Sequence, residues 1–191
     1  MAIEIPKFPL SYEDYAAIDD DERYEVLEGE LIPMGPAPFL RHQHVAGRIF
    51  RALGNHVDAT GIGQVFIAPV DVVLRAERPA TVLQPDVLYF GPQSLERLTR
   101  ANVQGPPDIV VEVLSPSNAR KDAVRKLGLY QKFGVPEYWI VPEHTDRIEV
   151  LRLDDDGNYA RPQLYLPGEV LRTPMIPGFE LDVAKIFPPN D

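Results

Sequence analysis

The stretch "DIVVEVLSPS", Asp108–Ser117, places five apolar residues around a single carboxylate, Glu112. A short, β-branched apolar run of this kind predicts a buried strand. An ionisable group at its centre must be desolvated, which is costly unless a partner compensates. A second run, "QPDVLYF" (Gln84–Phe90), carries Asp86 near its start. If the two strands are neighbours, both carboxylates converge on one point. Like charges repel there, so the pair is stable only with protons or a cation between them. A hard divalent cation such as Mg²⁺ takes oxygen ligands and keeps several waters. Glu112 is then a metal ligand; the alternative is a structural carboxylate that pairs with an arginine or caps a bulge.

Around these two strands the chain alternates elements. "SYEDYAAIDDDE" predicts a short helix with an acidic end, and "RYEVLEGELIPMG" two short strands about a turn at Glu28-Gly29. "HQHVAGRIFRALGNHVDATG" is the clearest helix: Val45, Ile49, Leu53 and Val57 form an i+4 stripe, and Gly61 is its stop. "GQVFIAPVDVVL", "LQPDVLYF" and "PDIVVEVLS" follow as three strands, then a helix over "NARKDAVRKLGLYQKFG" ending at Gly134. "EYWIV" and "RIEVLRL" are further strands, and "YARPQLYL" and "VLRTPMIPGFELDV" close the chain. The order helix, three strands, helix, strand predicts a mixed α/β sheet with helices against it, in one domain spanning residues 1–191.

Composition sets the bounds. The 191 residues are 45% hydrophobic and 25% charged, an ordinary globular balance with enough chain for a core. No apolar run approaches the roughly 20 residues of a membrane helix. The N-terminus lacks the basic start and apolar block of a signal peptide, and cysteine is absent, which excludes disulfides and thiolate-ligated zinc. A reducing cytoplasm is the expected location. The net charge of −10 argues at first against nucleic-acid partners, but residues 1–30 hold ten acids and two bases. Conversely, Ser115–Gly134 holds five bases (Arg120, Lys121, Arg125, Lys126, Lys132) and one acid, Asp122. That segment is either a basic patch or a solvated helix face.

"QPD", "PDIVVEVLSPS" and "RKDAVRKLGLYQKFGVPEYWIV", with "YEVLEGELIPM" and the "HQ" opening the first long helix, resemble a bacterial family of Uma-type restriction endonucleases within the PD-(D/E)XK nuclease superfamily. The resemblance runs over residues 24–153. It implies an α/β fold with a restriction-endonuclease-like core: a central mixed β-sheet flanked by helices, here with extra N-terminal and C-terminal strands. Pro85-Asp86 takes the place of the PD element and Glu112 that of the (D/E). The sequence departs from the motif two residues later, where Leu114 stands in place of lysine. In relatives of this kind the lysine comes from the following helix, which offers Lys121 and Lys126.

Helical spacing separates the two. Lys121, Arg125, Gly128 and Lys132 share a polar stripe; Asp122, Lys126, Leu129 and Phe133 share one that is half apolar. Lys126 is therefore expected to reach inward, and Lys121 to face solvent or a phosphate. His42, three residues before Val45, and Glu30, in competition with Glu25 and Glu28, are auxiliary candidates. His44 aligns with Arg48 and Arg51 on the outer face of its helix, and Asp71 is expected to be structural. The resulting mechanism is metal-dependent phosphodiester hydrolysis. Asp86, Glu112 and a backbone carbonyl near Val113 hold Mg²⁺ or Mn²⁺, Lys126 acts on the attacking water, and Lys121, Arg125 and Lys132 steer a nucleic-acid backbone, DNA first among the expected substrates. Pairing of short terminal strands between subunits would make a homo-oligomer. Two rivals stand beside this reading: a degenerate nuclease core kept as a binding or assembly module, and hydrolysis of a small phosphate ester.

Overall fold

The computed structural model describes residues 8–36, 39–115, 119–142 and 144–188, with the side chains of 119–122 outside that description. In chain order the elements are α1 (Tyr12–Ala16), β1 (Tyr24–Leu27), β2 (Glu30–Pro33), α2 (Leu40–Thr60), β3 (Gln64–Ile67), β4 (Val72–Arg75), β5 (Thr81–Leu83) and β6 (Val87–Phe90). Then come β7 (Val103–Gln104), β8 (Ile109–Leu114), α3 (Ala119–Lys132), β9 (Glu137–Pro142), β10 (Ile148–Arg152), β11 (Gln163–Tyr165), β12 (Val170–Leu171) and β13 (Leu181–Asp182).

The fold is mixed α/β, as expected, but its strands form more than one sheet. Six strands in the order β11-β10-β9-β8-β6-β3 make the central mixed sheet, in which β8 and β9 run parallel and the other neighbours antiparallel. Five more, β2-β1-β5-β4-β7, make a second sheet, and β12 pairs with β13. Proline explains the division. "GQVFIAPVDVVL" is not one strand: it breaks around Pro69 into β3 and β4, which join different sheets. "LQPDVLYF" breaks in the same way around Pro85 into β5 and β6. Proline supplies no N–H to a ladder, so an apolar run cannot continue through it inside a sheet.

Alternation along β8 assigns its faces. Ile109, Val111 and Val113 pack against the inner stripe of α2 and the C-terminal segment; Val110 faces the space shared by α3 and the second sheet. The period of two sends Glu112 to the same side as Val110. That side is lined by Leu129 and Tyr130 of α3, Tyr138 of β9 and Leu27 of β1. The predicted stripe of α2 is buried from Val45 to Val57, and Gly61 ends the helix in the left-handed region (φ 71°) with its N–H on the Val57 carbonyl. Fully burying side chains such as Ile49 and Leu53 stabilises by roughly 1.5–3 kcal/mol each.

A second buried acid, Glu137, lies on the opposite face of the central sheet and shows what a structural carboxylate looks like. It accepts from Trp139 Nε1 at 2.6 Å, Arg152 Nε at 2.7 Å and Thr173 Oγ1 at 3.0 Å, which ties the C-terminal segment to β9 and β10. No helix among the described residues is long and apolar enough to cross a membrane.

Candidate active site

Register brings the two motif carboxylates together. β6 and β8 are antiparallel with Val87 opposite Val111, so Asp86, one residue before β6, stands opposite Glu112. The Asp86 N–H donates to the Val111 carbonyl at 3.1 Å, and Asp86 Oδ2 accepts from the Val113 N–H at 2.7 Å. Pro85 lies between β5 and β6 and sets Asp86 at the start of β6. The other Pro-Asp pair, Pro107-Asp108, sits at the far end of β8, where Asp108 accepts from Gly91 N–H and the Ser94 hydroxyl.

Lys126 enters from α3. Its Nζ lies 3.0 Å from Glu112 Oε1 and 2.8 Å from Glu25 Oε1, with all three side chains nearly buried. The inward orientation expected for Lys126 is therefore observed, and the half-apolar stripe accounts for it: Leu129, one turn on, is in the same core. One turn beyond Lys126, the Tyr130 hydroxyl donates to Glu112 Oε1 at 2.7 Å. Burial raises the Glu112 pKa to about 7; Lys126 opposes the rise, and Asp86 and Glu25 add to it. Burial works against the charge on Lys126, but Glu112 and Glu25 outweigh it and hold the ammonium well above its ordinary range. Burial, and then Glu112, push the hydroxyls of Tyr130 and of Tyr138 upward as well, so both stay neutral.

The auxiliary candidates divide. His42, in the first turn of α2, is buried with Nε2 3.4 Å from Asp86 Oδ2. Glu30 is corrected: it is exposed on β2 and pairs with Arg125 at 2.7 Å, while Glu25 on β1 occupies the inner position. Position along the hairpin separates them: Leu27 pairs with Glu30, so both acids lie on the side toward α3, with Glu30 at the exposed turn end and Glu25 farther in. Glu28 (φ 52°) and Gly29 (φ 83°) form a two-residue turn with both φ positive, and a Cβ at Gly29 would stand 2.3 Å from Pro9 Cβ. This fixes the register so that Glu25 and Leu27 face α3. Gln84 holds Glu25 in place with its N–H at 2.8 Å. The Gln84 side chain meets Asp71 at 2.8 Å, and Asp71 also accepts from Tyr15, so that acid is structural as expected.

The basic stripe of α3 is also corrected. Arg125 donates to the Leu27 carbonyl at 3.0 Å and pairs with Glu30, while Lys132 pairs with Glu28 at 2.6 Å. The two cations clasp the β1–β2 hairpin and do not form an unpaired track for phosphates. The side chain of Lys121 lies outside the described residues. Sequence reasoning passed over Tyr130, although its i+4 spacing from Lys126 puts it on the same side of α3.

The donor set fits a hard cation. Two carboxylates stand at opposed positions of β6 and β8. In an extended strand the N–H and C=O of one residue face the same neighbour, so the Val113 carbonyl faces the Asp86 side along with its N–H. Among the described residues no group of three or more His, Asp or Glu converges as a metal cluster. Two carboxylates and a backbone oxygen would leave a bound Mg²⁺ several positions for water.

Residues 11–184 match the model of the Uma2 family, described as "Putative restriction endonuclease". The chain belongs to this family. A crystal structure described as a putative nuclease belonging to DUF820, from Anabaena variabilis ATCC 29413, superposes with a TM-score of 0.75 at 16% identity, covering 94% of this chain and 98% of that one. At that identity the likeness establishes the Uma2 chain's fold. No curated protein matches it.

Proposed function

We propose that the protein is a metal-dependent nuclease that hydrolyses nucleic-acid phosphodiester bonds, with DNA as the first substrate to test. The observation that carries this reading is the delivery of Lys126 Nζ from α3 to Glu112, at 3.0 Å, with Asp86 opposite Glu112 by register. Leu114 occupies the motif's usual lysine position, and the ammonium arrives from the helix in its place.

Asp86, Glu112 and the Val113 carbonyl would hold Mg²⁺ or Mn²⁺. Bound there, the ion supplies charge for the phosphoryl oxygens and a more acidic water. The chain's own residues do the rest. The Val113 N–H holds one Asp86 oxygen in place. Tyr130 donates to Glu112 Oε1 and leaves the other Glu112 oxygen to face the reacting group. Lys126, kept protonated by two carboxylates, is a fixed cation for charge that develops at phosphorus, in a site whose low exposure strengthens the interaction. Glu25 sets where that cation sits.

The test is cleavage of supercoiled plasmid, linear duplex, single-stranded DNA and RNA with Mg²⁺, Mn²⁺ or chelator. Metal-dependent cleavage lost in Lys126→Met and Glu112→Gln supports the reading. Absence of cleavage on all four substrates with either metal would favour the binding or assembly module instead.

A further inference from the structure

Hairpin carboxylates engage Arg125 and Lys132 of the α3 stripe, and a nuclease of net charge −10 needs cations that meet a nucleic-acid backbone. We propose that the outer face of α2, together with the C-terminal segment beside it, is that surface, and that its ligand is the phosphodiester backbone of the substrate. This rests on the nuclease reading above and names the face by which that site meets its substrate.

At 100° per residue, His44, Arg48 and Arg51 fall within an arc of about 60° on the side of α2 away from its buried stripe. The row is about 10 Å long, enough to lie along several phosphates of a duplex that carries a charge every ~1.7 Å of its axis. α2 has no acid before Asp58. Arg48 and Arg51 are exposed, and among the described residues neither has a carboxylate within ion-pair distance. His44 and Arg48 line an open groove of about 490 Å³ with Lys185, Phe187 and Asp146. Asp146 is already engaged by Arg41, and Lys185 stands 78% exposed, 3.4 Å from Asp182.

The groove and the carboxylates lie at the same end of the central sheet. β8 and β9 are parallel with Glu112 opposite Ile140, and the turn carrying Asp146 leaves the C-terminal end of β9. Arg41 reaches that turn, while the next residue, His42, contacts Asp86. A strand held along Arg51, Arg48 and His44 is thus led to the first turn of α2, where His42 contacts Asp86 at the end of the sheet whose other side carries Glu112. Arginine suits this role because its fork matches phosphate geometry.

The test uses Glu112→Gln, which cannot cleave, with labelled duplex DNA and duplex RNA of the same sequence, read by anisotropy from about 50 to about 200 mM salt. Adding Arg48→Glu/Arg51→Glu should weaken binding at least ~10-fold and reduce the slope of log K against log salt by about two. Adding Arg100→Glu/Arg161→Glu, exposed sites elsewhere with the same change in net charge, should leave both nearly unchanged. Thermal melts check that each variant is folded. The DNA and RNA arms identify which backbone is held. Full binding by the α2 variant, or equal loss in the control, overturns this surface and leaves the nuclease reading standing. Failure of Glu112→Gln itself to bind either nucleic acid overturns both.

Discussion

Lys126 Nζ and Glu112 Oε1 meet at 3.0 Å across 14 residues of sequence, and the same ammonium reaches Glu25 Oε1 at 2.8 Å. A helix, the central sheet and the hairpin are thereby joined at one buried cation. Lys126→Met leaves two nearly buried carboxylates without it, and should cost about 3–5 kcal/mol at neutral pH. Lys126→Arg should recover most of that stability but not cleavage, because a planar guanidinium cannot occupy the position of a point-like ammonium. Urea denaturation and a cleavage assay separate the two; wild-type stability in Lys126→Met would contradict the account.

The pH dependence of stability follows from Glu112. Its folded pKa of about 7 exceeds the ordinary value of 4.5, so between these limits the folded protein binds a proton that the unfolded chain has released. The contribution is complete below 4.5 and is lost as pH rises through 7, up to roughly 3 kcal/mol in all. Glu112→Gln does not titrate and keeps an acceptor for Lys126 and Tyr130. Metal-free melts should show it equal to wild type below about pH 4.5 and more stable by about 1–3 kcal/mol at pH 8. Mg²⁺ should protect it less than wild type. A mutant that loses several kcal/mol at pH 8 would make Glu112 a structural ion-pair partner like Glu137.

The sequence carried the pairing of Asp86 with Glu112 because both are lone acids in apolar runs, and spacing along α3 carried the inward turn of Lys126. Other features depended on contacts that no local pattern encodes. Glu25 and Glu30 flank one turn and share the side of the hairpin that faces α3, and only the tertiary contacts show that Glu25 is covered by Lys126 while Glu30, beside the turn, stays exposed with Arg125. Arg125 and Lys132 look like a free basic stripe until the hairpin supplies Glu30 and Glu28. The division into two sheets follows from Pro69 and Pro85, which break the ladders of "GQVFIAPVDVVL" and "LQPDVLYF" despite their apolar content.

Glu25 and Glu30 make a direct comparison. Glu25→Gln removes one of the two carboxylates that place Lys126 and should lower cleavage by about 10- to 100-fold with KM little changed, as for an interaction made in the transition state. Glu30→Gln breaks only an exposed pair with Arg125 and should change stability by less than about 0.5 kcal/mol and leave cleavage intact. Steady-state kinetics on both decide; a larger effect from Glu30 would reverse the assignment.

Tyr130→Phe removes the hydroxyl that donates to Glu112 at 2.7 Å. That bond favours the ionised carboxylate, so its loss should raise the Glu112 pKa further and move the acidic limb of the cleavage profile to higher pH. Stability at pH 8 should fall by about 1–2 kcal/mol. An unshifted limb would mean that Tyr130 packs beside Glu112 without tuning it.

Mn²⁺ titration of the metal-free protein, followed by calorimetry in two buffers of different ionisation enthalpy near pH 7, tests the central claim most directly. The account predicts one bound ion per chain in wild type, with proton release as Glu112 ionises, and loss of that binding in both Asp86→Asn and Glu112→Gln. No Mn²⁺ binding to wild type, or binding that survives both substitutions, would contradict it.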